Sequence, residues 1–265
     1  MREELKQLKT KYWLCTILFF AVLIISACYT IFSYYAGAGG VFWIIVAAVF
    51  YRSYIMKLMK TMSEKNDPYY YEECWKIMKY QQLHRQTHYY HMARAKFDQQ
   101  KFAEARVYLD QIKDKRIRSV PLRVFYYLLY SEILFEEGNI AGLSALEEDY
   151  SAKYGRVPNE ALLLVCMHNN VYRAYMNKDY TAMLSFLNEE RYCMSSLRMV
   201  SMGLGQAYLN GVIEKETGNI EFAKKHLEFV AQKGNKLYVA EKAKRLLEEI
   251  NGKAETEWKH EEISQ

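Results

Sequence analysis

Residues 12–51 read YWLCTILFFAVLIISACYTIFSYYAGAGGVFWIIVAAVFY, a run of 40 residues without Asp, Glu, Lys, Arg or His. One membrane span needs about 20 residues at a rise of 1.5 Å per residue, so the run has the length of two spans and a turn. Residues 36–40 supply the turn, because glycine lets the backbone reverse without carrying a charge across the bilayer. The sequence therefore predicts a transmembrane helical hairpin with spans at about 13–34 and 40–55.

Basic residues flank both predicted spans and are absent from the turn. Four precede the first span and four follow the second: Arg2, Lys6, Lys9, Lys11, Arg52, Lys57, Lys60 and Lys65. Short segments rich in Lys and Arg stay on the cytoplasmic side of a membrane. We therefore expect a two-span plasma-membrane protein in contact with the lipid bilayer, with both termini in the cytoplasm.

Cys28 leaves a second interpretation of the first span open. The stretch Ile25-Ser26-Ala27-Cys28 is similar to the lipobox of bacterial lipoproteins, in which the cysteine is lipidated. Residues 29–35 remain apolar, whereas such sites are followed by a polar tether. A lipid on Cys28 would leave the predicted topology unchanged, because the second span still returns the chain to the cytoplasm.

The distribution of charge argues against nucleic-acid binding. Residues 1–66 contain eight basic and three acidic side chains, which account for the whole net charge of +5. The remaining 199 residues carry 28 charges of each sign. Phosphate binding needs a concentrated positive surface, so we expect no nucleic-acid partner. The five cysteines, with no close pair, indicate free thiols in a reducing compartment.

The chain after the predicted hairpin has the composition of an all-α protein. Three prolines and twelve glycines in 265 residues are too few for a many-stranded β-fold. Asn66-Asp67-Pro68 combines a capping residue with a proline suited to a first helical turn. We predict an anchor at 1–66, a helical domain at 67–252 and a polar tail at 253–265, with Asn251-Gly252 ending the last helix.

Four short turn signatures recur at regular intervals within residues 67–252. They are Gln100-Lys101-Phe102, Gly138-Asn139-Ile140, Lys178-Asp179-Tyr180 and Gly218-Asn219-Ile220, spaced by 38, 40 and 40 residues. Apolar residues recur four and eight positions after each turn, with Glu147 as the exception. Mostly small residues lie eight positions before it: Ala93, Ser131, Val171 and Gly211. This spacing predicts four helix-turn-helix units whose helices approach closely.

The unit around Gly211, Gly218-Asn219-Ile220, Ala223 and Leu227 resembles the tetratricopeptide repeat (TPR) family. That resemblance implies a right-handed α-solenoid of about four helix-turn-helix repeats. It also implies a concave groove lined by the first helix of each unit, which would bind a protein or peptide partner. In this sequence the groove would contain Tyr90, Arg94, Leu128, Glu132, His168, Asn169 and Tyr172. Arg94 and Asn169 would hold the carboxylate or backbone of the peptide.

Two clusters of side chains suggest alternative sites. His84, His88 and His91 follow at i, i+4 and i+7, so they share one helix stripe on which a transition metal could bind. The basic residues Lys113, Lys115, Arg116, Arg118 and Arg123 lie in one connection between repeats, where they could contact headgroups or an acidic partner. The sequence contains no catalytic constellation, and we expect no cofactor, resident metal or small-molecule substrate.

These features favour a membrane-anchored scaffold or adaptor over an enzyme. The hairpin would hold the repeat domain at the cytoplasmic face, where it binds a component of a membrane complex. One alternative is a regulatory subunit of a transporter, in which the hairpin itself is functional. A second alternative is a metal-dependent enzyme that uses His84, His88 and His91.

Overall fold

A computed structural model describes residues 2–32, 37–78, 85–112, 117, 119–154, 159–197 and 203–263. These residues form helices and connections, with no β-strand among them, so the expected all-α class is confirmed. Twelve helices follow one another in the described part of the chain: α1 (Arg2–Phe32), α2 (Gly37–Glu64), α3 (Pro68–Ile77), α4 (Arg85–Asp98), α5 (Phe102–Asp110), α6 (Val120–Glu136), α7 (Ile140–Tyr154), α8 (Asn159–Met176), α9 (Tyr180–Ser196), α10 (Gly203–Glu216), α11 (Ile220–Lys233) and α12 (Tyr238–Ile263).

The first compact unit, residues 1–81, is built on an antiparallel pair of long helices. Lys65 Nζ contacts Glu4 Oε2 at 2.9 Å near one end of α1 and α2. Farther along the pair, the rings of Phe19 and Tyr51 stack with centroids 4.6 Å apart. Both helices extend beyond the predicted spans, because α1 begins at Arg2 and α2 ends at Glu64.

Large apolar side chains project outward from α1 and α2. Those that are 46–73% exposed are Leu14, Ile17, Leu18, Phe20, Ile24, Ile25, Val41, Phe42, Trp43, Ile45, Val49, Phe50 and Met56. Surfaces of this extent are rare on proteins surrounded by water alone. By length and composition, both helices are able to cross a membrane, over 2–28 and 40–64.

Helix α3 belongs to the same unit. The Asp67 side chain accepts hydrogen bonds from the amides of Tyr69 and Tyr70, and Pro68 occupies the first turn, as the sequence predicts. The helix packs on α1 and α2 and buries Cys74 and Trp75. For this reason the compact units divide between Gln81 and Gln82, whereas the sequence places a boundary at Asn66.

The second compact unit, residues 82–265, contains the four predicted turns. Each lies between the helices of a pair: α4 and α5, α6 and α7, α8 and α9, α10 and α11. One residue in each turn has a positive φ: Gln100 (63°), Gly138 (71°), Lys178 (55°) and Gly218 (85°). Its amide and the following amide donate to two carbonyls of the preceding helix, which is the Schellman arrangement. The predicted turns are confirmed, and they share one geometry.

Two of these turns place a residue with a Cβ in the left-handed region, which glycine adopts without steric cost. We expect Lys178→Gly to raise the free energy of unfolding by about 0.5–1 kcal/mol. Conversely, Gly218→Ala should lower it by about 1 kcal/mol through backbone strain alone, because a Cβ there meets no atom within 4 Å. Urea unfolding of the full chain in detergent micelles, followed by circular dichroism, checks both. Changes of the same sign would contradict the explanation.

The predicted close approach of paired helices is present in the structure. Ala93, Ser131, Val171 and Gly211 are buried, as are the apolar residues four and eight positions after each turn. A Cβ at Gly211 would lie 2.8 Å from Cγ of Leu227, so only glycine allows this separation of α10 and α11. The exception, Glu147, has its charge balanced by Arg173 of α8. Its Oε1 accepts from Asn169 Nδ2 at 2.8 Å and from an Arg173 Nη at 2.9 Å.

Helix α12 differs from its prediction at the carboxyl end. It continues through Asn251-Gly252 to Ile263, and its backbone remains helical where the sequence predicted a stop. It packs on α10 and α11 along its first turns, where Ala243 and Ile250 are buried. At its amino end, Tyr238 contacts the rings of Phe97 and Phe102, so the last helix meets the first helix pair of the unit.

Candidate functional site

A buried group of charged side chains lies across α4 and α6. The guanidinium of Arg94 donates to both carboxylate oxygens of Asp98, at 3.0 and 3.2 Å. Another nitrogen of the same group donates to Glu132 Oε2 at 2.8 Å. The two carboxylate side chains are only 10–11% exposed. Arg94 therefore fixes the separation of α4 and α6 while neutralising part of their buried negative charge.

Helices α8 and α9 add a buried histidine–carboxylate pair. His168 Nδ1 lies 2.9 Å from Glu190 Oε1, and both side chains are almost fully buried. The His168 ring also contacts the edge of Tyr172, with centroids 4.9 Å apart. Nε2 of His168 has no hydrogen-bond partner among the described residues. We call Arg94, Asp98, Glu132, His168, Tyr172 and Glu190 the inner cluster.

The inner cluster contains more acidic than basic groups. Burial disfavours the charged form of His168, but the charge of Glu190 and its hydrogen bond outweigh that penalty, so its pKa is raised. Burial also raises the pKa of Asp98, against the opposing effect of Arg94. Three carboxylates face one guanidinium and one histidine. The cluster is therefore net negative even when His168 is protonated, and it favours cations over anions.

The His168–Glu190 pair predicts a pH-dependent contribution to stability. A raised folded-state pKa means that the contribution is fully present below the unfolded value of about 6.5 and is lost as pH rises through the folded value. Glu190→Gln keeps the shape but removes the charge. Its destabilisation relative to the wild type should be largest near pH 6 and shrink toward about pH 9.

Unfolding by urea at several pH values measures this difference. The charges of Glu132 and Arg94 also act on His168. A matched Glu216→Gln variant, at an exposed position of α10, controls for general charge effects. A difference between the wild type and Glu190→Gln that does not change with pH would contradict the assignment.

The structure brings together only some of the residues predicted to line a groove. Arg94, Glu132, His168 and Tyr172 meet in the inner cluster. Leu128 and Asn169 are fully buried, so the prediction that they line an open groove is corrected. Leu128 belongs to an apolar core, and Asn169 donates to the carbonyl of Leu143 and to Glu147. Tyr90 is half-buried beside Phe125, with ring centroids 6.3 Å apart.

The predicted role of Arg94 also changes. Its guanidinium is already hydrogen-bonded to Asp98 and Glu132, so it is not free to hold the carboxylate of a peptide. Because Asn169 is buried as well, neither residue chosen from the sequence is available for that contact.

Helix α12 covers part of the same side of α6. Glu136 accepts a hydrogen bond from the Tyr238 hydroxyl and another from Lys242 Nζ, both at 2.7 Å. The Lys242 ammonium lies 5.0–5.7 Å from the ring centroids of Phe135, Tyr208 and Tyr238. A cation held by a carboxylate and several aromatic rings is thus already present in the unit.

No protein-family model, curated protein or solved structure matches this chain.

The described residues give no support to the two alternative sites, the histidine stripe and the basic connection between repeats. Within the described residues, no three His, Cys, Asp or Glu side chains come together as metal ligands, and His84 lies outside those residues. Burial lowers the pKa of both His88 and His91, which keeps them neutral. Lys113, Lys115, Arg116 and Arg118 also lie outside the described residues. Arg123 donates to the carbonyl of Ile117 and lies over the Tyr154 ring, so it makes intramolecular contacts.

Sequence reasoning missed Asp98 and Glu190. Asp98 follows Arg94 by four residues on one helix, and that spacing is a recognisable ion-pair signal. Glu190 carries no comparable signal, because it is brought to His168 only by the packing of α9 on α8.

Proposed function

We propose that this chain is a membrane-anchored helical-repeat scaffold, whose second unit binds a protein partner at the membrane surface. The single observation that carries the proposal is the band of exposed apolar side chains around α1 and α2, joined in one chain to a unit of helix pairs. Such a band is stable in lipid and costly in water. No catalytic chemistry is needed for this role.

In the proposed placement, α1 and α2 cross the plasma membrane and both termini lie in the cytoplasm. The part of α1 from Trp13 to Phe32 spans about 30 Å at 1.5 Å per residue, which matches the hydrocarbon thickness. The basic residues outside both spans favour this orientation.

The second unit is proposed to be a TPR-like α-solenoid of four helix pairs. Its support is the repeat of 38–40 residues together with the shared turn geometry at Gln100, Gly138, Lys178 and Gly218. Neighbouring pairs also pack on one another, as α6 does on α8. An array of this kind exposes continuous surfaces for binding a protein rather than a closed pocket for a small molecule.

The partner is proposed to be a basic protein segment. The inner cluster is net negative, and Glu136 with three aromatic rings already holds the Lys242 ammonium. Because the inner cluster is buried, a segment rich in Lys or Arg would be attracted by its negative field over the surface of α4, α6 and α8 rather than contact its carboxylates.

Site-specific photo-cross-linking tests this role. A cross-linking amino acid at Tyr90, beside the inner cluster, should form adducts to a membrane-associated protein in living cells. The same group at Tyr192, which is 70% exposed on α9, is the matched control. The yield of the adduct from position 90 should fall at high salt, because salt screens the attraction that brings the partner there. Equal adducts from both positions, or none from position 90, would reject a partner site beside the inner cluster.

A further inference from the structure

The first turns of α1 and the end of α3 border a cavity that is open to solvent. It has a volume of about 530 Å³ and is lined by Arg2, Glu3, Leu5, Lys6, Lys9 and Ile77. This volume lies within the range of small-molecule sites in proteins, about 300–1,000 Å³.

Three basic side chains share one face of the cavity. Arg2, Lys6 and Lys9 follow at i, i+4 and i+7, so they project from one stripe of α1. All three are exposed, and none has a carboxylate partner among the residues that the structure describes. Glu3 contributes one negative charge, which leaves a net charge of +2 in the cavity lining. Such a lining attracts a phosphate group.

The membrane-proximal end of the cavity reaches the headgroup layer, and this step rests on the proposed membrane placement. If the span begins at Trp13, Lys9 lies about 6 Å above that level and Arg2 about 16 Å above it, at 1.5 Å per residue. The polar headgroup region extends about 5–8 Å beyond the hydrocarbon on each side. Lys9 therefore lies at the level of lipid phosphates. Lys6 and Arg2 lie above that layer, on its aqueous side, where their charges attract an anionic headgroup toward Lys9.

The opposite wall supplies the apolar part of the lining. Leu5 and Ile77 face the cavity, and Ile77 is held there because α3 packs on both long helices. A cavity with a basic wall and an apolar wall fits a glycerophosphate group better than a bare ion, because the glycerol carbons contact Leu5 and Ile77.

We propose that this cavity is a binding site for the headgroup of an anionic phospholipid, whose phosphate contacts Lys9 and is attracted by the charges of Lys6 and Arg2. The recognised chemistry is a phosphate diester next to a short carbon chain. The site would fix the hairpin at a set depth and favour membranes rich in such lipids.

Native mass spectrometry of the full chain in detergent micelles tests the proposal. Phosphatidylglycerol should be retained in preference to phosphatidylcholine. The Arg2→Gln/Lys6→Gln/Lys9→Gln variant should lose phosphatidylglycerol affinity by roughly tenfold or more. The matched control, Arg52→Gln/Lys57→Gln/Lys60→Gln, removes the same charge at the same end of the hairpin but outside the cavity, and should stay within about twofold of the wild type.

Equal losses in the two triple variants would overturn the site, because they would show a diffuse electrostatic attraction. Displacement of phosphatidylglycerol by millimolar inorganic phosphate would identify a free-phosphate site and overturn the lipid assignment. The circular dichroism of each variant checks that it folds. Failure of the membrane placement itself is distinguishable, since the chain would then remain soluble and monodisperse without detergent.

Discussion

Replacing Arg94 with methionine should lower the free energy of unfolding by about 3–5 kcal/mol, because it leaves two buried carboxylates without their counter-charge. Asp98 and Glu132 are 11% and 10% exposed, so water cannot solvate them when the guanidinium is removed. Methionine fills a similar volume, which limits the contribution of lost packing. Urea unfolding of the full chain in detergent micelles, followed by circular dichroism, measures the change.

Arg106→Met is the control for Arg94→Met. Arg106 contacts Glu137 at the same 2.8 Å, but it is 40% exposed, so its loss should cost less than about 1 kcal/mol. The triple variant Arg94→Met/Asp98→Asn/Glu132→Gln should recover part of the loss, because it removes the unpaired charges as well. A triple variant that is less stable than Arg94→Met alone would show that burial of charge is not the cause.

The second large effect concerns the contact between Gly211 and Leu227. Leu227 is fully buried, so Leu227→Ala should destabilise the protein by about 2–5 kcal/mol through lost burial and a cavity. Gly211→Ala alone should also destabilise it, because its Cβ would lie 2.8 Å from Leu227 Cγ. In the double variant the new methyl group occupies space that Leu227 has vacated. The destabilisation of the double variant should therefore be smaller than the sum of the two single destabilisations by at least about 1 kcal/mol.

Leu187 provides the matched comparison for this pair of single variants and their double variant. It is buried at the equivalent position of α9, but the atoms nearest to a Cβ at position 211 belong to Leu227 and Ala223. Leu187→Ala combined with Gly211→Ala should therefore be additive within about 0.5 kcal/mol. The same coupling in both double variants would contradict a specific contact between α10 and α11.

Much of the architecture follows from local sequence features. The positive-φ residues and the first residues of α5, α7, α9 and α11 fall where the turn spacing predicts, because a Schellman turn is a local backbone arrangement. The charge-free run likewise predicts two long helices. In contrast, Gly252 does not end α12, because a glycine alone permits a stop without requiring one.

The inner cluster depends on packing that no local pattern encodes. The resemblance to the TPR family predicts that Arg94, Glu132, His168 and Tyr172 share one groove, and these four side chains do meet in the inner cluster. The sequence could not show that Glu132 would also use the Arg94 guanidinium, or that Glu147 would draw Asn169 into the interior. These pairings span 22 to 38 residues in the chain, and so they emerge only when the helices are assembled.

The central claim is that α1 and α2 anchor the helical unit to the cytoplasmic face of a membrane. The most direct measurement places one epitope between Ala38 and Gly39 and another after Gln265, and labels each with antibody in intact and permeabilised cells. We predict that the epitope in the hairpin is labelled in intact cells, and that the carboxyl-terminal epitope is labelled only after permeabilisation. Labelling of the carboxyl-terminal epitope in intact cells would contradict the claim.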